Sequence, residues 1–283
     1  MENRPEDLVT TVVITRNGGA QLGRTIALHR GAVILLDNGS TDGCIDGITE
    51  RFAQIRVVRL PANIGALARN VGVLLANTPY VAFADDDSWW APDALARAAS
   101  ILQQHEAVAV VAGRILVGPE NRPDPIGAEM LHSSLPAWPT VGGRSVVGFV
   151  ACGAVLRKDA FLQVGGFDDV VFFGGEEERV ALDLLASGWD LVYAPHVVAH
   201  HHPQPSRDRS ERNRLIARNS ILTALMRRPW PVTLARVAAA LRTSHGRAGV
   251  ATALPRAARG LLRRRPVPIE VERRLAALER SSR

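Results

Sequence analysis

Apolar and polar segments alternate regularly along the first part of the chain. Four apolar runs rich in β-branched residues predict buried strands, at residues 8–15, 32–36, 55–60 and 80–84. Polar turns separate these runs from segments of helical composition, at residues 21–30, 45–53 and 94–104. Strands and helices that alternate in this way are typical of a parallel sheet in a nucleotide-binding unit.

The pattern is less regular farther along the chain. Further strands are predicted at residues 107–116, 145–156, 190–194 and 197–199, and helices at residues 158–164 and 179–187. Residues 118–144 are rich in Pro and Gly, which indicates a long loop over a cleft. From about residue 203 the composition shifts to helical segments, at residues 207–226, 233–242, 247–265 and 269–280. In the last three, Ala, Leu and Val alternate with Arg, as in amphipathic helices.

The composition is that of a soluble globular protein, since 47% of the 283 residues are hydrophobic and 22% are charged. No apolar run approaches the roughly 18 residues that span a bilayer. Cys44 and Cys152 are too few for a disulfide framework and fit no zinc pattern. We therefore expect a cytoplasmic setting.

The net charge of +6 is spread unevenly, because arginines crowd the C-terminal segment. A basic amphipathic segment binds an anionic membrane surface or a partner helix, or it caps the preceding domain. These alternatives fit the sequence equally well, and the first would place the protein at the inner face of the cell membrane. We expect no nucleic acid partner.

Three consecutive carboxylates, Asp85, Asp86 and Asp87, follow the strand at residues 80–84. In an open α/β sheet, ligands bind at the carboxyl ends of the strands. Adjacent carboxylates repel one another, and a hard divalent cation such as Mg²⁺ or Mn²⁺ relieves that repulsion while it also holds substrate phosphates. The alternative is that one aspartate or Ser88 caps the next helix and the other aspartates are solvated.

Further polar groups lie at the ends of predicted elements. Asp37 follows the second strand, where it either contacts a ribose or base edge or only starts an Asx-turn. Glu176, Glu177 and Glu178 open a helix, whose dipole favours acids there, and one of them has the position of a general base. His200 begins a run of three histidines, which is either a ligand set or a solvated cluster.

Six segments resemble, in order, motifs of the family 2 glycosyltransferases, which are inverting enzymes. The segments are VVITRN (12–17), LLDNGSTDG (35–43), NIGALARNVG (63–72), YVAFADDDSWWAP (80–92), RKDAFLQVGGFDD (157–169) and GGEEERVALDLLASGW (174–189). Each motif alone is weak, but six in the same order are specific. The resemblance implies an α/β, Rossmann-like nucleotide-diphospho-sugar transferase (glycosyltransferase A) fold, with a mixed central sheet and a C-terminal helical tail.

The resemblance also implies a domain division. The catalytic domain would span residues 1–205, with a nucleotide half at about 8–117 and an acceptor half at about 118–205. A basic amphipathic helical extension would follow at residues 206–283.

Roles for individual residues follow from the same resemblance. The residues implied to bind the nucleotide sugar are Thr15, Arg16, Asn17, Asp37, Asn63, Gly65, Arg69, Asp85 and Asp86. The residues implied to hold Mn²⁺ or Mg²⁺ are Asp85, Asp87 and His200. Counting back from Gly188 places Glu177 at the position of the catalytic base, with Glu176 as the close alternative.

The implied activity is the inverting transfer of a sugar from a nucleoside diphosphate sugar to an acceptor hydroxyl on a sugar or lipid-linked sugar, as in the synthesis of a cell-envelope polysaccharide. A sugar nucleotidylyltransferase is a weaker alternative, because the turn at Arg16–Gly19 is too short for the glycine-rich basic signature of that class. A non-catalytic nucleotide-sugar-binding or membrane scaffold is the other alternative. A binding protein of that kind does not need the three glutamates at residues 176–178, which argues against this alternative.

Overall fold

In the computed structural model, which describes residues 4–203 and 209–281, eleven strands form one mixed β-sheet. The strands are β1 (Val9–Thr15), β2 (Ala32–Asp37), β3 (Ile55–Arg59), β4 (Tyr80–Asp85), β5 (Ser88–Trp90), β6 (Val108–Val117), β7 (Arg122–Pro123), β8 (Ala137–Trp138), β9 (Gly143–Ser145), β10 (Ala154–Arg157) and β11 (Asp190–His201). The α-helices are α1 (Gly19–Thr25), α2 (Ile48–Arg51), α3 (Leu67–Leu75), α4 (Ala94–Gln104), α5 (Pro125–Leu131), α6 (Lys158–Gln163), α7 (Glu177–Ala186), α8 (Arg209–Arg227), α9 (Trp230–Ala240), α10 (Ser244–Leu262) and α11 (Ile269–Ser281).

The order of strands in the sheet is β3-β2-β1-β4-β10-β6-β11-β9-β8, and β5 and β7 pair with β11 and β6. Strands β1 to β4 are parallel, whereas β10 runs antiparallel between β4 and β6. The register pairs Thr15 with Asp37 and Ile14 with Asp85. The carboxyl ends of β1, β2 and β4 therefore meet at one edge, as their polar terminal residues predict.

Helices cover both faces of the sheet, which explains why all seven residues of β1 are buried. On one face, Val12 and Phe83 pack in a cluster with side chains of α3, α6 and α7. On the other face, Val13 and Leu35 pack against α1 and α2. Gly72 lets α3 approach closely, because a Cβ there would lie 2.4 Å from Cγ1 of Val12.

The segment from residue 118 to residue 156 differs from the sequence-based expectation. The predicted loop at 118–144 contains β7, α5, β8 and β9. Helix α5 begins at Pro125 after Asp124, whose side chain accepts a hydrogen bond from the Ile126 N–H. Of the predicted strand at 145–156, only residue 145 and residues 154–156 are in strands, at the end of β9 and in β10. Val146 and Phe149 belong to the core without being paired as a long strand.

The C-terminal helices pack on the sheet domain. Leu222 and Met226 of α8 and Ala253 of α10 form a buried cluster with Val170 and Val171. Arg227 of α8 pairs with Asp183 of α7, and the buried Arg228 pairs with Glu272 of α11 at 2.8 Å. The extension therefore caps the domain, which was one of the three alternatives.

Two expectations concern the start of the C-terminal segment. The predicted domain boundary at residues 205–206 and the predicted helix start at residue 207 lie outside the described residues. Within residues 4–203 and 209–281, no helix combines the length and the hydropathy needed to cross a bilayer.

Candidate active site

A cavity of about 620 Å³ opens at the edge where β1, β2 and β4 end. Its acidic part contains Asp85, Asp86 and Asp87, and a second part is formed by α8 and α10. Of the residues predicted to bind the nucleotide sugar, those that line the cavity are Thr15, Arg16, Asn63, Gly65, Asp85 and Asp86. Asn17, Asp37 and Arg69 do not line it. A cleft of this size at a sheet edge is a typical ligand site.

Asp86 is held against the end of β1. Its Oδ2 accepts a hydrogen bond of 2.7 Å from the Thr15 hydroxyl, and its carbonyl accepts one of 2.6 Å from the Thr25 hydroxyl. Burial raises the pKa of Asp86 to about 6; the Thr15 hydrogen bond lowers it, and the charges of Asp87 and Asp85 raise it further. Burial is thus the main cause of the raised pKa of Asp86, and the repulsion expected between neighbouring aspartates adds to it.

Arg69 connects the two groups of acids. Its side chain is 2% exposed, forms an ion pair with Asp85 and lies 3.4 Å from Oε1 of Glu176. Burial alone would lower the pKa of this guanidinium, but the charges of Asp85 and Glu176 outweigh burial and raise it. The fixed charge of Arg69 thus holds the end of β4 and the start of α7 together.

Asp87 presents an unsatisfied oxygen. Its Oδ1 is buried and has no hydrogen-bond partner among the described residues, although Nε2 of His201 lies 3.4 Å away, within ion-pair range. Burial lowers the pKa of His201, but Asp87 and Asp85 outweigh burial, so that the pKa is raised. A buried carboxylate oxygen without a hydrogen-bond partner is unusual, and this oxygen is available to a ligand.

His200 does not face the aspartates. Strand β11 continues through His201, so that the side chains of His200 and His201 point to opposite faces. The His200 ring stacks on Trp89 at 5.1 Å, and its Nδ1 lies 2.9 Å from Oδ1 of Asn121. The structure therefore places His201, and not the predicted ligand His200, beside Asp87.

The residues present fit a hard divalent cation. Within the described ranges, no three carboxylate, imidazole or thiol groups are arranged as a complete metal site. Mg²⁺ and Mn²⁺ commonly take only one or two protein carboxylates, with substrate phosphate and water completing the shell. Asp85 and Asp87 are two such carboxylates on the same edge of the cavity, and Oδ1 of Asp87 has no hydrogen-bond partner in the part of the chain that the structure describes.

Asp37 and its neighbour Asn38 have different surroundings. Oδ1 of Asp37 accepts a hydrogen bond of 2.9 Å from the Ser40 N–H, three residues on rather than the two of an Asx-turn, and so holds the turn that follows β2. The Asn38 amide donates to Oδ1 of Asn63 and to the Gly65 carbonyl, both at 3.0 Å, and Asn38 lines the cavity. Sequence reasoning overlooked Asn38, although it stands beside Asp37 in the same motif.

Gly65 is required by its surroundings. Its φ is +64°, and a Cβ would lie 2.5 Å from the Phe172 carbonyl oxygen. That carbonyl also accepts a hydrogen bond of 2.8 Å from the Ala66 N–H. The loop before α3 is thereby fixed to the segment that precedes α7. Asn17 has a comparable local role, because its Oδ1 accepts a hydrogen bond of 2.8 Å from the Thr41 N–H.

The three glutamates at the start of α7 have different partners. Glu176 is buried, and its Oε2 accepts a hydrogen bond of 2.6 Å from the Gly174 N–H. Glu177 is half-buried, and its Oε1 accepts one of 3.2 Å from the Ala151 N–H. Glu178 pairs with Arg236 of α9 at 2.7 Å, so that it holds the helical cap in place.

Glu176 and Glu177 both hold protons more tightly than ordinary carboxyl groups. Burial, followed by the charge of Glu177, raises the pKa of Glu176 to about 8. Burial also raises the pKa of Glu177, and the charge of Asp85 adds to the effect. Raised carboxyl pKa values are characteristic of groups that accept a proton during catalysis.

The buried thiol of Cys152 shows that the two acidic groups share one neighbourhood. Burial raises its pKa well above the usual value, and the charges of Asp85, Asp87 and Glu177 raise it further. The thiol therefore lies within the field of the β4 carboxylates and of the α7 carboxylates. It has no place in the chemistry that the motifs predict.

Two arginines of the C-terminal helices line the cavity but were not among the predicted site residues. They are Arg218 of α8 and Arg256 of α10. The neighbouring Asn219 donates hydrogen bonds of 2.6 Å and 2.7 Å to the carbonyls of Phe173 and Gly174. Helix α8 thus fixes the glycine turn that precedes Glu176. A polar Arg-Asn pair inside an otherwise helical segment was the available signal.

Comparisons with known proteins identify the relatives of the chain. The family model described as Glycosyl transferase family 2 matches residues 10–165. The N-acetylglucosaminyl-diphospho-decaprenol L-rhamnosyltransferase of Mycobacterium tuberculosis is 30% identical over 253 residues, which cover 75% of this chain and 81% of that protein. The pre-mycofactocin glycosyltransferase of the same organism is 33% identical over 216 residues, which cover 71% of this chain and 44% of that protein.

Solved structures show the same fold. A mannosyltransferase from Pyrobaculum calidifontis, PcManGT, in complex with GDP-Man and Mn²⁺ superposes with a TM-score of 0.61 at 21% identity, covering 90% of this chain and 74% of that one. TarS 1–349 from S. aureus in complex with UDP-GlcNAc gives a TM-score of 0.56 at 18% identity, covering 76% and 66%. The expected glycosyltransferase A fold is confirmed.

Proposed function

Because the chain belongs to glycosyl transferase family 2 and is a glycosyltransferase, we propose that it transfers a sugar from a nucleoside diphosphate sugar to an acceptor hydroxyl, with inversion at the anomeric carbon. The observation that carries this proposal is the link through Arg69, which pairs with Asp85 and contacts Glu176. This link joins the end of β4, in the proposed donor site, to the start of α7, which carries the proposed proton acceptor.

The proposed donor site uses the ends of β1 and β4. Thr15, Arg16, Asn63 and Gly65 line the cavity beside the aspartates and would hold the nucleotide, together with Asn38. Asp85 and Asp87 would hold Mn²⁺ or Mg²⁺, with His201 next to Asp87. When bound, the cation neutralises the charge that develops on the departing diphosphate. Asp86, fixed by Thr15, would accept a hydrogen bond from a sugar or ribose hydroxyl.

Glu177 is the proposed general base. The acceptor hydroxyl has to lose its proton as it attacks the anomeric carbon. Among the described residues Glu177 has fewer hydrogen-bond partners than Glu176, since it accepts one hydrogen bond, from the Ala151 N–H. Glu176 is fixed by Arg69 and by the Gly174 N–H, so it is better suited to positioning the guanidinium than to receiving a proton. An acceptor held opposite the leaving group would attack from that face, which inverts the anomeric centre.

A metal-dependent thermal shift tests the donor site. We expect one nucleoside diphosphate of a panel to raise the Tm in the presence of Mn²⁺ and not in the presence of EDTA. At about 100 times its Kd, such a ligand adds roughly 2.7 kcal/mol to the free energy of unfolding. The matching nucleoside, which lacks the diphosphate, is the control. A folded protein that responds to no nucleoside diphosphate would contradict the proposed donor site.

The proposed acceptor is a lipid-linked sugar, reached at the inner surface of the cell membrane. The rhamnosyltransferase relative is named for a diphospho-decaprenol substrate. Helix α10 exposes Leu254, Leu261 and Leu262, which lie on one side of the helix at intervals of seven and eight residues. Exposed Arg265 follows this apolar stripe, as in helices that lie on anionic bilayers.

Vesicle binding tests this membrane contact. We expect the protein to co-sediment with vesicles that contain phosphatidylglycerol, and the double variant Leu254→Ser/Leu262→Ser to bind about tenfold or more weakly, because each buried leucine contributes roughly 1.5–3 kcal/mol. The control is Leu74→Ser, which removes an equally exposed leucine from α3. Equal binding by the double variant and the control would exclude α10 as the membrane contact.

A further inference from the structure

The part of the cavity that α8 and α10 form is basic, in contrast to the acidic strand ends. Arg218 of α8 and Arg256 of α10 line the same cavity as Asp85, Asp86 and Asp87. The proposed donor chemistry does not use either arginine. Their surroundings indicate that each guanidinium lacks a counter-charge.

Arg218 is buried but is surrounded by neutral groups and positive charges. Its side chain is 6% exposed, its Nε donates a hydrogen bond of 2.8 Å to Oδ1 of Asn219, and its Nη2 donates one of 2.9 Å to the Val171 carbonyl. Burial lowers its pKa to about 10, and the charges of Arg256 and Arg214 lower it further. A buried charge without a counter-charge is costly unless a ligand supplies one.

Arg256 has the same kind of partners. Its Nη1 donates to the carbonyls of Asp169 and Val170, at 2.9 Å and 2.8 Å, and its guanidinium carbon lies 5.8 Å from the centroid of the Phe172 ring. No ion pair joins Arg218 or Arg256 to any carboxylate in the described part of the chain. The cavity-lining Glu211 lies 3.2 Å from Arg214.

Other arginines of the C-terminal helical segment do have a counter-charge. Arg227, Arg228 and Arg236 each pair with a carboxylate, namely Asp183, Glu272 and Glu178. Arg263, at the end of α10, pairs with Asp168 at 2.8 Å. The helical cap therefore neutralises these guanidinium groups but not the two that face the cavity.

We propose that Arg218 and Arg256 form a diphosphate subsite in the cavity, apart from the carboxylates that would hold the metal. Two guanidinium groups match the multiple charge of a diphosphate and can donate paired hydrogen bonds to its oxygens. The proposal rests on the proposed transfer reaction, in which both the nucleotide sugar and a polyprenyl-diphosphate-linked acceptor carry this group. The test separates these two sources.

Inorganic pyrophosphate in the presence of EDTA is the first probe, because the chelator prevents binding through a metal. We expect pyrophosphate to raise the Tm of the wild-type protein and to bind about tenfold to a hundredfold more weakly to Arg256→Gln, since hydrogen bonds to charged groups are strong. Without ligand, Arg256→Gln should melt somewhat below the wild type, because the hydrogen bonds to the Asp169 and Val170 carbonyls are lost, so each shift is measured from the Tm of the same variant without ligand. Arg247→Gln, an exposed arginine of α10 that does not line the cavity, is the control.

Arg218→Gln should weaken pyrophosphate binding in the same way. Arg218→Lys keeps the positive charge but not the guanidinium, and it tests whether a positive charge alone is enough to bind pyrophosphate. An equal response to pyrophosphate in the wild type, Arg218→Gln and Arg256→Gln, or no response in any of them, would overturn the proposal. A response to pyrophosphate without any metal-dependent response to nucleoside diphosphates would support this subsite and contradict the proposed donor site.

Steady-state kinetics identify the source of the diphosphate. In Arg256→Gln, a rise of about tenfold in the KM for the nucleotide sugar would assign the subsite to the donor. The same rise in the KM for a polyprenyl-diphosphate-linked acceptor would assign it to the acceptor. Either result supports the subsite, and unchanged KM values for both substrates would overturn it.

Discussion

Replacing Glu177 by glutamine is expected to lower kcat by about 10²–10⁴-fold, the usual contribution of a general base. The amide still accepts the hydrogen bond from the Ala151 N–H, so that the local fold is maintained. It has no basic oxygen to receive the proton of the acceptor hydroxyl. The KM for the donor should change little, because the donor contacts lie at the ends of β1 and β4. Initial-rate kinetics with both substrates measure the two parameters.

Two neighbouring glutamates provide matched controls for this variant. Glu178→Gln keeps kcat near the wild-type value, because Glu178 pairs with Arg236 of the helical cap. Glu176→Gln weakens the contact with Arg69 and should lower activity less than Glu177→Gln. If Glu176→Gln abolishes turnover while Glu177→Gln retains it, the base is Glu176 and the assignment of Glu177 is wrong.

The pH dependence of the rate provides an independent check on Glu177. A general base must be ionised, so activity falls as the pH drops through its pKa. Because the pKa of Glu177 is raised, we expect this fall at a higher pH than an ordinary carboxyl group would give. Glu176 and Glu177 are adjacent, so the profile reports the pair. Glu177→Gln should remove the acidic limb from its residual activity, whereas Glu178→Gln should retain it.

The acidic edge of the sheet could be predicted from sequence because it depends on short-range signals. Asp37 and Asp85 end buried strands, and parallel strands that pair in register bring their ends together. The motif that contains Arg69 was also recognisable. Its position between Asp85 and Glu176 was not, because residues 69 and 176 are distant in the sequence and meet only through the packing of α3 and α7.

The parts that were missed depend on details that a sequence pattern does not specify. The choice between His200 and His201 depends on how far β11 extends, since a strand reverses the direction of its side chains at each residue. Arg218 and Arg256 reach the cavity because α8 and α10 fold back over the turn at residues 170–175. Helical periodicity predicts that such helices exist, but it does not determine the surface on which they pack.

Replacing Asp87 by asparagine is expected to lower turnover by about 10²–10³-fold, the size of effect seen when one group that stabilises developing charge is removed. Oδ1 of Asp87 is buried and has no hydrogen-bond partner among the described residues, so we expect it to bind the cation directly. An asparagine in its place removes a negative charge from the proposed cation site. The metal-dependent Tm shift with nucleoside diphosphate should be lost together with the activity.

Stability measurements separate this loss from unfolding. Oδ1 of Asp87 lies 3.4 Å from Nε2 of His201 but makes no hydrogen bond within the described ranges, so the substitution should cost only about 1 kcal/mol of the free energy of unfolding. Asp46→Asn, which removes an exposed carboxylate paired with Arg59, is the control and should leave both activity and the metal response unchanged. If Asp87→Asn keeps the metal-dependent shift and Asp85→Asn loses it, the cation depends on Asp85, whose bond to Arg69 would then have to break when the donor binds.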